Sequence, residues 1–145
     1  MDHLKIKGWL IIQQIKDNKI IKEDTFDNLV VNSGLSYVAG LMGGFQSAPF
    51  KYIAIGLGDT PATETDTSLD NEYVRSEADN IELVTTEAEN DTLQLTKTWA
   101  FTSRKAICEA GVFNEEGVML SRRVFSACNI ENGINLRIIW RIQCK

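Results

Sequence analysis

The chain has a single histidine, His3, and it sits in the terminal run Met1-Asp2-His3-Leu4-Lys5. Ser–His and Cys–His catalysis both need an imidazole held beside the nucleophile, and a histidine at a chain end reads as solvent-facing. Cys108, Cys128 and Cys144 form no CxxC and no Cys/His cluster, so the residues do not point to zinc. Each lies in or beside an apolar stretch, where a thiol behaves as a small hydrophobe. The carboxylates Asp59, Glu64, Asp66, Asp70 and Glu72 come nearest to a hard-cation donor set. Their spacing is not that of an EF-hand, and they read as solvated or turn-capping groups. Carboxylates for glycoside cleavage exist by type, but nothing marks a pair. Gly56-Leu57-Gly58 invites comparison with a dinucleotide fingerprint. That motif needs a third glycine and a helix starting at once, whereas Asp59-Thr60-Pro61 follows here. The two glycines read instead as a close backbone approach or a sharp exit from a strand. The expectation is no catalytic residue, no cofactor and no metal.

Arg75 follows the acidic loop, placed either to clamp it through a bidentate pair or to stand exposed on an edge strand. Acidic residues gather between Asp59 and Asp91. Arg104, Lys105, Arg122, Arg123, Arg137 and Arg141 gather in the last third, and the formal net charge is −5. A duplex-binding face needs a dense positive field, so nucleic acid is not an expected partner. Opposed charge patches either set the register of one subunit on the next or are simply solvated surface; Arg122 and Arg123 are taken as candidate interface residues.

The elements that position these residues are strands. Runs 4–15 and 19–31 flank Asp17-Asn18 and read as a hairpin. Asn32-Ser33-Gly34 can cap a helix start, and Leu35, Val38, Ala39 and Met42 follow as an apolar stripe that ends at Gly43-Gly44. One short helix over about 33–43 is predicted. An apolar strand, Phe50 to Leu57, then leads into the loop, and further strands are expected near 73–78, 81–88, 92–102, 106–114, 117–126 and 134–143. The last is the clearest: Ile134, Leu136, Ile138, Trp140 and Ile142 alternate with Asn135, Arg137, Arg141 and Gln143. Asn90-Asp91, Glu116-Gly117 and Asn132-Gly133 supply turns. The class predicted is all-β, an antiparallel sandwich or jelly-roll-like fold with one short helix, in a single domain over 1–145. No internal repeat suggests a β-helix or propeller. The first strand is apolar on both faces, with Trp9, Ile11 and Ile15 on one and Leu4, Ile6, Leu10 and Ile12 on the other. Such a strand needs cover twice, from the helix or from a neighbouring subunit, so Trp9, Ile11 and Ile15 join the candidate interface.

Four segments together resemble small bacteriophage virion structural proteins of the tail-fibre, collar and head-decoration type. They are Asn28-Leu29-Val30-Val31-Asn32-Ser33-Gly34-Leu35; Tyr52-Ile53-Ala54-Ile55-Gly56-Leu57-Gly58-Asp59-Thr60-Pro61 continuing through Thr65-Asp66-Thr67-Ser68-Leu69 to Glu72 and Arg75; Glu109-Ala110-Gly111-Val112-Phe113-Asn114 with Gly117-Val118-Met119-Leu120-Ser121-Arg122 and Phe125-Ser126; and the closing strand Leu136 to Ile142. The likeness spans 26–145. Residues 1–25 lie outside it as a hairpin or docking extension, and Arg123-Val124 stands where relatives carry small residues. The resemblance implies a structural subunit that acts through contacts with itself, in a trimer or ring, and with other virion proteins. It also implies assembly in a host cytoplasm. The free thiols fit that compartment, and Trp9 to Ile12 is too short to cross a bilayer. A second reading is a receptor- or carbohydrate-binding module of a tail tip, against which loop 58–72 offers no aromatic ring for a sugar to stack on. A small cell-wall hydrolase ranks last.

Overall fold

In the computed structural model, which describes residues 4–145, Asp17 and Asn18 both adopt left-handed backbone angles, φ 51° and 62°. Two successive positive φ values give the tight turn whose twist matches flanking antiparallel strands. It joins β1 (Ile6–Lys16) to β2 (Lys19–Asp27). Beyond them come β3 (Leu29–Val30), α1 (Asn32–Gly43), β4 (Phe50–Gly56), β5 (Glu72–Glu77), β6 (Asn80–Val84), β7 (Thr92–Ala100), β8 (Lys105–Asn114), β9 (Met119–Ile130) and β10 (Asn135–Cys144). The all-β class with one short helix is thus what the structure shows. There are two five-stranded sheets, ordered β2-β1-β10-β7-β6 and β3-β9-β8-β4-β5. His3 lies outside the described residues.

The residues form two compact units. The first runs up to Asn28 and adds 78–105 and 129–145. In it β1 pairs antiparallel with both β2 and β10, and β10 with β7, so the N-terminal hairpin is part of the sheet rather than an appendage. The alternation in β10 holds: Leu136, Ile138, Trp140 and Ile142 are buried, as is Leu95 in β7. On β1, Leu10 and Ile12 are buried on the same principle, whereas Trp9, Ile11 and Ile15 are half-buried. Two polar ladders run across that second face. Gln13 donates to Glu23 and accepts from Arg137 at 2.6 Å, and Gln94 donates to Glu82 and accepts from Arg141 at 2.8 Å. Trp9 lies opposite Arg141 and Ile11 opposite Ile139. Cross-strand neighbours therefore cover part of these side chains, as residue pairs on a pleated face do.

The loop between β6 and β7 closes on one carboxylate. Asp91 accepts from the backbone N–H groups of Thr86, Glu87 and Ala88 and from the hydroxyls of Thr86 and Thr92. The Ala88 bond leads the effects that hold its pKa far below the ordinary value, against some desolvation. Asp79 does the same work at the other end of that hairpin, bonded by Lys97 Nζ at 2.9 Å and Thr98 N at 2.9 Å. Its pKa is lowered, first by Lys97 and then by Thr98. Several acidic residues thus serve as caps for chain turns, because an ionised carboxylate is the strongest acceptor a loop can present to its own N–H groups.

The second unit comprises 29–77 and 106–128. Its core gathers Val31, Ala54, Leu69, Phe113 and Met119, with Tyr52 packed against them. Two expectations for α1 are corrected here. Val31 is the N-cap and no side chain caps it; Asn32 is already helical. The inward face is Gly34, Tyr37 and, half-buried, Val38 and Leu41, while Leu35, Ala39 and Met42 face outward. The reason is close approach. A Cβ on Gly34 would lie 2.7 Å from the Cα and carbonyl oxygen of Leu120, so only glycine lets the helix seat on β9. Tyr37 then completes the contact. Its ring meets Phe50 edge-on, and its hydroxyl accepts from Ala48 N and donates to Glu116. A glycine and a hydrogen-bonded tyrosine carry the buried stripe, which apolarity alone does not reveal. Gly34→Ala is expected to cost about 1–3 kcal/mol in urea unfolding despite alanine's better helix propensity. Leu35→Ala should stay within about 0.5 kcal/mol. The reverse ranking would contradict this orientation of the helix.

Candidate functional site

The segment joining β4 to β5, residues 57–71, carries no secondary structure of its own. Connections this long normally need a specific anchor. The anchor is Glu109 on β8, fully buried. One carboxylate oxygen accepts from Gly58 N at 2.8 Å and Asn71 N at 2.7 Å; the other accepts from Asp70 N at 2.8 Å and from Arg122 Nε and Nη2 at 3.3 and 3.0 Å. One side chain thus holds both ends of the loop. Close contact is what places glycines there: a Cβ on Gly56 would stand 2.6 Å from that carboxylate, and one on Gly58 2.5 Å. The Gly56-Leu57-Gly58 motif is therefore a seat for a carboxylate, in keeping with its reading as a close backbone approach.

Arg122 on β9 is the counter-charge. It is 2% exposed and reaches into the middle of the loop, donating to Thr60 O at 2.9 Å and to Asp66 at 2.8 Å. Asp66 in turn accepts from the backbone N–H and hydroxyl of Thr63. Burial pushes the Asp66 carboxyl up, but the bonds from Thr63 and Arg122, with the charge of Arg122, outweigh it and leave the pKa lowered. Leu69, buried in the unit's core, adds an apolar foot. Above the anchor lies a shallow depression of about 280 Å³ lined by Thr60, Asp66, Ser68, Leu69, Asp70 and Arg122.

The expected site residues are placed as follows. Arg122, expected as an interface residue, has its guanidinium enclosed within the chain and committed to Glu109, Asp66 and Thr60. Arg123, half-buried, donates Nε to Val124 O. Trp9, Ile11 and Ile15 belong to the first unit, and Arg122 and Arg123 to the second. Arg75 does not clamp the loop through a bidentate carboxylate. It pairs with Glu72 at 2.8 Å and lies 3.7 Å over the Phe113 ring. The loop carboxylates diverge: Asp66 turns to Arg122, Asp70 to Thr60 and Glu72 to Arg75. Among the described residues, no three His, Cys, Asp or Glu side chains form a group able to hold a metal. All three cysteines are free thiols. Burial raises the pKa of Cys108, helped by the charges of Asp59 and Glu109, which keeps it protonated and weakly nucleophilic. Cys144 is exposed rather than packed as a hydrophobe.

Glu109 is the residue that reading the sequence for chemistry passes over. The available signal is its setting, a carboxylate inside Ile107-Cys108-Glu109-Ala110-Gly111-Val112, matched by an arginine after Met119-Leu120-Ser121. Charges embedded in buried strands must find each other. No protein-family model, no curated protein and no solved structure matches the chain.

Two outcomes are expected. Glu109→Gln removes the charge that Arg122 faces and turns an amide N–H₂ toward N–H donors; it should cost about 3–5 kcal/mol in equilibrium unfolding, and a loss below about 1 kcal/mol would contradict the anchor. For Asp66 the folded pKa lies below the ordinary 3.8. Folding therefore favours the ionised form, so its contribution is complete above 3.8 and is lost as pH falls through the lower folded value. Asp66→Asn should be less stable at pH 7 and lose less on acidification. Parallel stability–pH curves for the two proteins would rule this out.

Proposed function

We propose that this chain is a structural subunit of a bacteriophage particle, a tail-fibre, collar or capsid-decoration component that acts through contacts with its own copies and with other virion proteins. The observation that carries the reading is where the family-like motifs converge. Gly56-Leu57-Gly58, Asp66, Leu69, Glu109 and Arg122 belong to segments that are far apart in sequence, and all of them take part in fixing one loop. Glu109 and Arg122 are enclosed and bond each other and the loop, which supports a scaffolding role for the shared residues. That favours a part selected for a rigid shape. On this reading the chain catalyses no reaction, uses no cofactor and works in the assembled virion.

The test is composition of purified particles. Quantitative mass spectrometry of phage encoding this chain should find it in a fixed multiple of a known structural protein, and deleting it should give particles lacking a defined part. Complete, infective particles that never contain it would overturn the proposal.

A further inference from the structure

The second face of the first sheet carries two guanidiniums that the chain holds in place but does not neutralise. Arg137 and Arg141 sit on β10, the central strand of β2-β1-β10-β7-β6. Arg137 donates Nε to Gln13 on β1, and Gln13 donates onward to Glu23 on β2. Arg141 donates Nε to Gln94 on β7, and Gln94 donates onward to Glu82 on β6. Each arginine is thus aimed by a neutral amide, and the nearest carboxylate in the relay stands one strand further out. Among the described residues neither arginine forms a salt bridge, and only Nε of each is hydrogen-bonded. A guanidinium bonded through Nε keeps its two Nη groups for another acceptor, and a carboxylate matches them with two parallel bonds.

Between the two charges the face is apolar. Ile139 separates them on β10 and pairs with Ile11 on β1, while Trp9 lies opposite Arg141. All five side chains are half-buried along the sheet. Asp27, opposite Trp9, joins Glu23 and Glu82 at the margins. Arginine and tryptophan around an apolar centre with a polar rim is the composition of a protein contact. A strand rises about 3.3 Å per residue, so four residues set the guanidiniums about 13 Å apart. One small anion cannot reach both. The acidic margins oppose a phosphate backbone or an anionic membrane. Carboxylates fixed on a protein surface are what remains.

The chain supplies such a surface itself. From 52 to 74 it has no Lys or Arg, and Asp59, Glu64 and Asp70 stand exposed on the loop that Glu109 fixes. The unit that carries this loop, 29–77 and 106–128, has nine carboxylates against four Lys and Arg residues. Its balance is −5, which is the whole net charge of the chain. We infer that the Arg137–Arg141 face of one copy receives the acidic loop of the next, through Asp59, Glu64 and Asp70. The inference rests on the structural-subunit reading and names the two surfaces that join its copies. The contact is heterologous, so copies assemble head to tail, into a closed ring or an open filament.

Sedimentation velocity of the full chain over a wide concentration range tests this. Three variants stand beside the wild type: Arg137→Glu with Arg141→Glu, Asp59→Lys with Glu64→Lys, and a chain carrying all four changes. Asp59 and Glu64 are exposed, so the loop variant should melt at the wild-type temperature. The wild type should self-associate, and each reversed pair should weaken it by about 100-fold or more, because like charges are brought together. The chain with all four changes restores opposite signs and should regain association. If reversing the arginines lowers the melting temperature, Arg137→Gln with Arg141→Gln keeps amide donors toward Gln13 and Gln94 and should still weaken assembly. A loop variant that assembles like the wild type would overturn this contact and leave the structural-subunit reading standing. Two weakened variants with no recovery in the combined chain would overturn the pairing of these two surfaces. A wild type that is monomeric at every concentration would overturn a second copy as the occupant, and the particle measurement above would then decide separately whether the chain is a virion part.

Discussion

A carboxylate and a guanidinium, both shut away from water, hold the second unit of this protein in shape. An isolated charge cannot be buried at tolerable cost, so Glu109 and Arg122 are useful only together and only with their remaining valences filled. Glu109 meets that demand with three backbone N–H groups of the 57–71 segment, and Arg122 with Thr60 O and Asp66. The pair therefore imposes a conformation on the loop instead of merely neutralising itself. Replacing it with apolar side chains could preserve stability in general, yet such residues could not bond Gly58, Asp70 and Asn71. Here burial of charge serves specificity of shape.

The same device recurs at smaller scale. Asp91 closes the β6–β7 connection and Asp79 binds Lys97 and Thr98. Asn114 Oδ1 accepts from Glu116 N and Val118 N in the turn after β8. Asp66, Asp79, Asp91 and Glu109 are thus internal ties of the backbone. Rigid loops on a strand framework suit a part whose outline must fit its neighbours, and that link connects the chemistry of the site to the proposed role.

The strands were legible because their signals are local. Period-2 alternation in β10, the Asp17-Asn18 turn and the glycine at 133 are each read within a few residues, and all lie where the pattern puts them. The helix was located by its glycines and apolar spacing, but its orientation was not. The buried stripe depends on Gly34 touching Leu120, a contact no hydropathy pattern encodes. The anchor was invisible for a related reason. Glu109 is 51 residues from Gly58, and Arg122 is 56 from Asp66. Arg75, nearer to the loop in sequence, drew the role that Arg122 performs. Proximity along the chain favoured the wrong arginine; strand pairing supplied the right one.

The central claim is that the Glu109 carboxylate fixes the 57–71 loop through its backbone. Native-state hydrogen exchange of individual amides tests it most directly. Gly58, Asp70 and Asn71 should exchange as slowly as the buried strand amides of β8, opening only when the unit unfolds. Exchange of those three at the rate of exposed loop amides would mean that the loop moves independently of Glu109, and the account would fail.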